Sequence, residues 1–482
     1  MEILDTLSNK KQVLELPKKG FLRLFVCGPT VYDFPHIGHA RTYIVFDTFV
    51  RFLRSQKIKV FYLQNITDVD DKIIERAKET NKNPLELAKF FEAEYKKIMK
   101  KIGIDSVDKY ARATDHIPQI QKQIATLLKK YFAYETDNGI YFEVKKAKSY
   151  GKLSKQSLDQ LRPGWRIEPD PQKKDPLDFS LWKKSNPKSQ TLNSKQNQKS
   201  KFQILDGEPM WQSPWGWGRP GWHIEDTAIA EKFFGPQYDI HGGGMDLKFP
   251  HHESEIAQME SASGKKPFVK IWMHTGFLLV DDKKMSKSLK NFISISDFLK
   301  NNSPAVLRML ILSSHYRSPI NYTDELILQT KNSLQNIKEF LGKLHLIILA
   351  NNKKSSSFEI NKLIEVLDSN FTEALENDFN TPKALSVIFD MISSWQNQIW
   401  QFDKDQAKAI TKLIKAKLDI LGIRLELLKI PKKVKDLAKK RDLLRKDKQF
   451  IPADLLRNKI EKLGYSVEDT PLGPLLLKIS NF

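Results

Sequence analysis

The pattern of apolar and polar positions near the start of the chain predicts a strand, a turn and a helix in succession. Residues 22–26 form a largely apolar run, and it ends at Cys27, Gly28 and Pro29, which favour a turn. Residues 40–46 follow with apolar positions that suit a buried helix. A strand, a turn and a helix in this order are typical of a parallel α/β sheet.

A different pattern begins beyond residue 322. The chain there is poor in glycine and carries apolar residues at helical spacing, as in residues 344–349 and 384–389, which predicts a bundle of helices. Residues 432–482 predict a basic helix followed by a small domain around Gly464 and Pro471. The basic residues of that helix are Lys439, Lys440, Arg441, Arg445, Lys446 and Lys448. A solvated helix face and a binding surface are both compatible with them.

A polar, lysine-rich segment interrupts the middle of the chain. Residues 183–201 read KKSNPKSQTLNSKQNQKSK and predict a disordered basic loop. An inert insertion and a flexible basic contact to a partner are the two interpretations of this loop. Before it, residues 139–144 predict a strand.

Composition adds a strong positive charge. The 482 residues include 79 lysines and arginines against 58 aspartates and glutamates, so the net charge is +21. Such a chain attracts polyanions, including nucleic acids, although a lysine-rich composition can also reflect a biased genome. The length predicts two to four domains.

The remaining general features concern the compartment. The sequence shows no signal peptide and no run of eighteen apolar residues of the kind that spans a membrane. Cys27 is the only cysteine, which excludes a disulfide framework within one chain. These features predict a cytoplasmic protein that contacts no membrane.

Two short motifs carry candidate chemistry. In the first, residues 35–39 (PHIGH), His36 and His39 are three residues apart and can face one ligand at a helix N-terminus, where unpaired N–H groups favour phosphate. Gly38 between them lets a ligand approach the backbone. In the second, residues 284–288 (KMSKS), ammonium groups could neutralise charge on a departing pyrophosphate. Taken singly, the first motif is more often a helix start with capping histidines, and the second a solvated loop.

In this order and far apart, the two motifs resemble the paired signatures of class I aminoacyl-tRNA synthetases. More local matches resemble the cysteinyl-tRNA synthetase family specifically, and they extend over almost the whole chain. The matching segments are residues 26–33, 65–72, 218–225, 241–247, 249–255, 315–319, 378–382 and 468–471.

The resemblance implies a fold and its division along the chain. We expect an α/β fold in which a Rossmann-like, parallel-sheet catalytic domain is split by a connective insertion and followed by an α-helical bundle and a small C-terminal anticodon-binding domain. The expected segments are residues 1–111 and 206–275 for the two halves of the catalytic domain, 112–205 for the insertion, 276–325 for the KMSKS loop and stem-contact region, 326–428 for the bundle and 429–482 for the C-terminal domain.

The resemblance also implies an activity. L-cysteine would react with ATP to give cysteinyl-adenylate and pyrophosphate, and cysteine would pass to the 3′-terminal adenosine of tRNA(Cys), with Mg²⁺ on the phosphates. The implied ATP contacts are Gly28, Thr30, His36, Gly38, His39, His241, Gly243, Lys284 and Lys287. Four of these, His36, His39, Lys284 and Lys287, would be catalytic. The implied enzyme is a monomer.

The implied cysteine site consists of Cys27, Thr67, Trp222 and His223. Thr67 could instead cap the helix that follows it, and Trp222 could be an ordinary core anchor. Seven of the ten histidines fall in matched segments and suggest a polar nest around triphosphate and cysteine. They are His36, His39, His223, His241, His251, His252 and His274.

A metal is implied because shape alone separates cysteine poorly from serine, whereas zinc prefers a thiolate strongly over a hydroxyl. The implied ligands are Cys27, His251 and Glu255, with Asp226 at the position where the family has cysteine. One thiolate fewer makes the site harder and less selective for sulfur. A zinc site of reduced affinity and a site that has lost zinc both remain open.

Two alternative functions remain. A ligase that passes cysteine to a small amine would lack the C-terminal anticodon-binding tail that this chain carries. A non-catalytic tRNA-binding relative would be expected to lose its triphosphate contacts, although Asp226 is an observation in its favour.

Overall fold

The computed structural model describes residues 1–156, 170–185, 201–285, 291–351, 360–425 and 430–479. The chain divides into two compact units, Met1–Leu278 and Leu279–Phe482. Within the described residues, no helix has both the length and the apolar character needed to cross a membrane.

The first unit combines a parallel sheet, an antiparallel sheet and helices. Its strands are β1 (Glu2–Asp5), β2 (Lys10–Val13), β3 (Leu22–Val26), β4 (Val60–Ile66), β5 (Lys109–Arg112), β6 (Ala133–Glu135), β7 (Gly139–Phe142), β8 (Phe179–Lys184), β9 (Phe202–Leu205), β10 (Glu208–Ser213), β11 (Gly216–Pro220), β12 (Tyr238–Gly244) and β13 (Val269–Thr275). Its helices are α1 (Ile37–Ser55), α2 (Asp71–Thr80), α3 (Pro84–Lys101), α4 (Ile117–Lys129), α5 (Trp222–Phe234) and α6 (Glu253–Ser263).

The parallel sheet confirms the predicted α/β fold. Its strand order is β13-β12-β3-β4-β5, and every neighbouring pair is parallel. Strand β3 occupies the predicted residues 22–26 and is paired on both sides. Leu24 and Phe25, which point to opposite faces of the sheet, are both fully buried. A strand covered on both faces accounts for its largely apolar sequence.

The insertion predicted between the two halves of the parallel sheet is a separate antiparallel sheet. The chain leaves the parallel sheet after β5 and returns at β12, and the strands between them have the order β6-β7-β8-β11-β10-β9. The strand predicted at residues 139–144 is β7, which ends two residues earlier because a short 3₁₀ turn follows. The expected boundary at 205/206 falls between β9 and β10, which pair with each other. The predicted basic loop was wrong at Lys183 and Lys184, which pair with neighbouring strands as the last residues of β8. Residues 186–200 lie outside the described residues.

The second unit is mainly helical, as predicted. Its helices are α7 (Ile295–Asn301), α8 (Pro304–Leu312), α9 (Asp324–Ala350), α10 (Ile360–Glu376), α11 (Thr381–Gln396), α12 (Lys404–Ile420), α13 (Lys432–Lys446) and α14 (Phe450–Lys462). Its strands are β14 (Leu278–Val280), which starts at the last residue of the first unit, β15 (Lys283–Lys284), β16 (Ile320–Tyr322), β17 (Tyr465–Thr470) and β18 (Gly473–Lys478). Helix α9 buries Leu334, Ile337, Leu341 and Leu344, whose spacing matches the helical period.

The predicted basic helix is α13, and one of its basic residues is not on the surface. Arg441 is fully buried, and its guanidinium group binds the carboxylate of Asp469 on β17. Arg445 lies 3.3 Å from the same carboxylate. Arg441 therefore holds the C-terminal hairpin against α13. It does not belong to the exposed basic surface that the sequence predicted.

Candidate active site

The candidate site lies at the carboxyl ends of three neighbouring parallel strands. Cys27 follows β3, Thr67 follows β4, and His241 and Gly243 lie in the last part of β12. The chain adds β4 and β5 on one side of β3, and β12 and β13 on the other. Such a reversal of strand order leaves a crevice at the carboxyl ends of the strands, where α/β proteins bind ligands.

The two histidines of the first motif form the start of α1. His36 is the N-cap, and its Nδ1 accepts a hydrogen bond of 3.1 Å from the backbone N–H of Gly38. His39 Nδ1 accepts one of 3.3 Å from the backbone N–H of His36, and the two rings stack with centroids 3.8 Å apart. The interpretation of these residues as capping histidines is therefore correct, and it uses one nitrogen of each ring.

Capping leaves His39 able to donate. Desolvation, with a smaller effect of the nearby Lys72 charge, lowers the pKa of His39 to about 4, so the ring is neutral at pH 7. A neutral ring that accepts at Nδ1 carries its proton on Nε2, where it can donate a hydrogen bond to a phosphate oxygen.

Two glycines are required by close packing around the crevice. A Cβ at Gly28 would collide with the carbonyl oxygen of Asn65. A Cβ at Gly243 would lie 2.8 Å from Cε1 of His252. Thr30, another predicted ATP contact, forms an isolated parallel bridge with Thr67, so these two predicted residues lie side by side.

The sulfur of Cys27 is the centre of a buried polar cluster. His252 Nε2 lies 3.1 Å from Sγ, His241 Nε2 lies 3.2 Å from it, and Asp226 Oδ2 lies 3.3 Å from it. The ring of His241 stacks on Trp272 with centroids 4.5 Å apart. His241 was expected to contact ATP, and the structure places it against the sulfur.

His251 is held on several sides. Its Nε2 lies 3.1 Å from Asp226 Oδ2 and 2.9 Å from Glu255 Oε1. Its Nδ1 lies 2.8 Å from Nδ1 of His223, and Trp222 stacks on the ring with centroids 4.3 Å apart. These contacts fix the ring in the plane that aims Nε2 between the two carboxylates.

Helix α5 supplies two adjacent buried carboxyl groups. The hydroxyl of Thr67 donates to Glu225, and the side-chain amide of Asn65 donates to Asp226. Thr67 is not the cap of the next helix, because Asp70 caps α2 by accepting from the backbone N–H of Lys72. The long-range bond to Glu225 replaces the local capping role.

The four predicted metal ligands lie close together around the Cys27 sulfur. Asp226 Oδ2 lies 3.3 Å from Cys27 Sγ and 3.1 Å from His251 Nε2, while Glu255 Oε1 lies 2.9 Å from His251 Nε2 and 3.8 Å from Cys27 Sγ. A tetrahedral zinc ion with bonds of about 2.0–2.3 Å separates its ligand atoms by about 3.3–3.8 Å. The two distances to Cys27 Sγ fall in this range, whereas the two distances to His251 Nε2 are shorter and are those of hydrogen bonds. All four residues are buried. Cys27, His251, His252 and Glu255 bring their ligand atoms within 4.8 Å of one another, which makes His252 an additional candidate ligand.

The electrostatics of this cluster favour a cation. Burial, together with the charges of Glu255 and Asp226, raises the pKa of the Cys27 thiol well above its usual value. Burial also raises the pKa of Glu255 to about 7, against the opposing effect of His251. Burial lowers the pKa of His251, but Glu255 and Asp226 outweigh it and raise that pKa to about 9. A divalent cation would relieve this crowding of acidic groups.

Sequence reasoning did not identify Asn65 and Glu225 as site residues. Both lie within matched segments, Asn65 two residues before Thr67 and Glu225 directly before Asp226. The sequence does not show that the end of β4 contacts the start of α5. This contact brings together residues about 160 positions apart.

The second motif lies in the second unit. Lys284 belongs to the two-residue strand β15, which pairs with β14 across a turn formed by Asp281 and Asp282, both with positive φ. The sequence had suggested a loop here, but aspartate tolerates the left-handed conformation that such a tight turn requires. Lys287 lies outside the described residues.

Comparisons with known proteins agree over almost the whole chain. The profile described as "tRNA synthetases class I (C) catalytic domain" matches residues 14–332, and the "DALR domain" profile matches residues 370–426. The cysteine–tRNA ligase of Thermoplasma volcanium is 43% identical over 470 residues, which cover 97% of this chain and 98% of that protein. The cysteine–tRNA ligase of Thermococcus gammatolerans is 40% identical over 492 residues, covering 99% of each.

Among solved structures, Mycobacterium tuberculosis methionyl-tRNA synthetase bound by methionyl-adenylate is similar in fold, with a TM-score of 0.56 at 15% identity over 84% of this chain and 90% of that chain. The catalytic-domain profile covers more than half of the chain, and two relatives match it nearly end to end at 40% and 43% identity. On these grounds the chain belongs to the cysteine–tRNA ligase family.

Proposed function

We propose that this chain activates L-cysteine with ATP and transfers it to the 3′-terminal adenosine of tRNA(Cys). It is a ligase of the class I aminoacyl-tRNA synthetases. The observation that carries this conclusion is the match to cysteine–tRNA ligases along almost the whole chain, including both units.

ATP is assigned to the crevice at the carboxyl ends of the parallel strands. His39 donates from Nε2 to a phosphate oxygen, and His36 and Gly38 present the start of α1 to the phosphates. Gly28, Thr30 and Gly243 are retained as ATP contacts of this crevice. Mg²⁺ would be held mainly by the phosphate oxygens.

The lysines of the second motif remain proposed ATP contacts on the strength of the motif. Lys284 and Lys287 would neutralise the charge that collects on pyrophosphate as it leaves. His241, expected to contact ATP, is assigned instead to the surroundings of the metal ligands, because it contacts the sulfur of Cys27 as His252 does.

Cysteine is assigned to the neighbouring pocket. The proton of the Thr67 hydroxyl is directed at Glu225, so the Thr67 oxygen remains an acceptor for the substrate ammonium group. Trp222 walls the pocket, and His223 supports it through His251. Zinc held by Cys27, Asp226, His251 and Glu255 would supply a thiophilic centre that binds the substrate sulfur and discriminates against serine.

The reaction then requires mainly positioning. The substrate carboxylate attacks the α-phosphorus in line, the bond to the bridging oxygen of the β-phosphate breaks, and pyrophosphate departs. The ribose hydroxyl of the terminal adenosine next attacks the carbonyl carbon of the adenylate, and AMP leaves. We assign no general base to this second step.

The second unit is assigned to tRNA. The bundle and the C-terminal segment would reach the anticodon through Lys439, Lys440 and Lys448 of the basic region rather than through Arg441, which is buried. We retain the six-segment division of the chain and a monomeric enzyme as part of this proposal.

Two activity measurements test the proposal. Cysteine-dependent exchange of pyrophosphate into ATP reports the first step, and charging of tRNA(Cys) reports the second. Exchange without charging would favour a ligase that acts on a small amine. Absence of both would favour a non-catalytic tRNA-binding relative, which Asp226 alone supports.

A further inference from the structure

The two carboxylate oxygens of Asp226 have different partners. Oδ2 faces Cys27 Sγ at 3.3 Å and His251 Nε2 at 3.1 Å, which are both assigned metal ligands. Oδ1 accepts a hydrogen bond from the side-chain amide nitrogen of Asn65. Asp226 and Asn65 are 1% and 2% exposed, so water does not compete for these positions.

The orientation of the Asn65 amide is itself fixed. Its oxygen accepts from the backbone N–H of Gly28, the residue after Cys27. Because that partner can only donate, the amide oxygen must face Gly28, and the amide nitrogen must face Asp226. Asn65 lies in β4, which pairs with β3 along its length, so the backbone that carries the amide is also held.

We propose that Asn65 is a positioning residue that makes Asp226 a one-oxygen metal ligand. A free carboxylate can bind an ion through one oxygen or two. The Asn65 amide occupies Oδ1 and leaves Oδ2 alone directed at the site. Asp226 thus offers a single donor atom, as the single sulfur of a cysteine does at this position. This inference rests on the zinc site of the proposed function.

The inference makes a prediction that depends on the residue at position 226. A cysteine at position 226 has a single atom, its sulfur, that can bind a metal. The Asn65 amide would then have no second oxygen of residue 226 to hydrogen-bond. Asn65 should therefore matter for metal binding when residue 226 is aspartate and matter little when it is cysteine.

The test is a double-mutant cycle of Asn65→Ala and Asp226→Cys, read as the zinc dissociation constant from competition with a chromophoric chelator. In the natural background we expect Asn65→Ala to weaken zinc binding about 10- to 100-fold, the usual effect of losing a hydrogen-bond partner of a metal ligand. In the Asp226→Cys background we expect little change. The Asn65 amide also accepts from Gly28 and donates to the Thr67 hydroxyl at 3.4 Å, and both contacts are lost in both backgrounds and therefore cancel.

A spectroscopic readout separates positioning from a loss of stability. Replacement of zinc by Co²⁺ reports coordination number, and we expect Asn65→Ala to reduce the visible absorption of the Co²⁺ protein as Asp226 gains freedom to bind through both oxygens. The matched control is Gln123→Ala, because Gln123 is also buried and binds α5 through Thr227 but does not contact the cluster. That variant should lose stability and keep zinc affinity.

Equal weakening in both backgrounds, with an unchanged Co²⁺ spectrum, would overturn the inference and leave the zinc site in place. Failure of the natural protein to bind zinc at all would overturn both the inference and the metal part of the proposed function. The ligase function itself is tested separately, by aminoacylation of tRNA(Cys). If Asn65→Ala does not fold, Asn65→Ser is used in the same cycle, because its hydroxyl is too short to reach Oδ1.

Discussion

The Nε2 atom of His251 and the Oε1 atom of Glu255, four residues further along the chain, lie 2.9 Å apart. Residues 248–252 form one wide turn in which Phe249 has extended backbone angles, and α6 begins only at Glu253. Asp226 approaches the same nitrogen from α5 at 3.1 Å. His251 is therefore held between carboxylates from two different helices.

The affinity for zinc should fall as the pH falls. The raised pKa of Cys27 means that its thiol is protonated at neutral pH, and a metal must displace that proton. His251, with a pKa of about 9, also carries a proton, and Glu255, with a pKa of about 7, gains one as the pH drops further. We expect the dissociation constant for zinc to rise at least about tenfold for each pH unit between 8 and 6. Competition titrations at pH 6, 7 and 8 measure this, and a constant affinity would show that no proton is displaced.

Replacement of Asp226 by cysteine should tighten zinc binding. The second thiolate makes the donor set softer and restores the residue that the family has at this position. We expect an increase in affinity of about tenfold or more, comparable with other changes at metal ligands. Metal content after dialysis against a mild chelator gives the comparison, and equal zinc in both proteins would refute this expectation.

Replacement of Gly28 by alanine should destabilise the first unit. The new Cβ would collide with the carbonyl oxygen of Asn65 in the neighbouring strand, and a backbone atom cannot move aside as a side chain can. We expect a loss of about 3 kcal/mol or more in the free energy of unfolding. Gly20→Ala is the control, because none of the described residues has an atom within 4 Å of the position that its new Cβ would take, while its positive φ of 89° opposes the change. Urea unfolding measures both variants. If Gly28→Ala loses no more free energy of unfolding than Gly20→Ala, the collision with Asn65 is relieved and the prediction is wrong.

Replacement of Lys287 by alanine should slow formation of the adenylate with little effect on folding. The residue lies outside the described residues, so this prediction depends on the KMSKS motif alone. Loss of one group that stabilises developing charge typically lowers kcat by about 10²-fold or more. Lys300→Ala is the control, since that exposed lysine, among the residues that the structure describes, pairs with Asp297 on its own helix. Unchanged pyrophosphate exchange in the Lys287 variant would remove this residue from the mechanism.

Much of the fold followed from local pattern. The apolar run before Cys27 is β3, and the glycine-poor segments beyond residue 322 are helices. Both could be predicted because a strand buried on two faces has a continuous apolar sequence, and a helix buried on one face has apolar residues at helical spacing. The tight Asp281-Asp282 turn was not foreseen. Positive φ at an aspartate follows from the strands that it joins rather than from the residue itself.

The site could be predicted only in part, for a related reason. Motifs identified Cys27, His251 and Glu255, but the partners of Asp226 and Thr67 depend on strands and helices that meet far apart in the sequence. His252 illustrates the same limit, because its neighbour His251 faces the carboxylates while His252 faces the sulfur. Adjacent residues at the start of a helix point in different directions, and only the packing decides which group each one meets.

The most direct test of the central claim is cysteine-dependent ATP–pyrophosphate exchange, with serine as the competitor, on protein whose zinc content is measured in the same preparation. We expect exchange with cysteine, rejection of serine and about one zinc per chain, the number that a single four-ligand site holds. Rapid exchange that rejects serine in protein free of zinc would contradict this account, because the pocket would then select the thiol by another route.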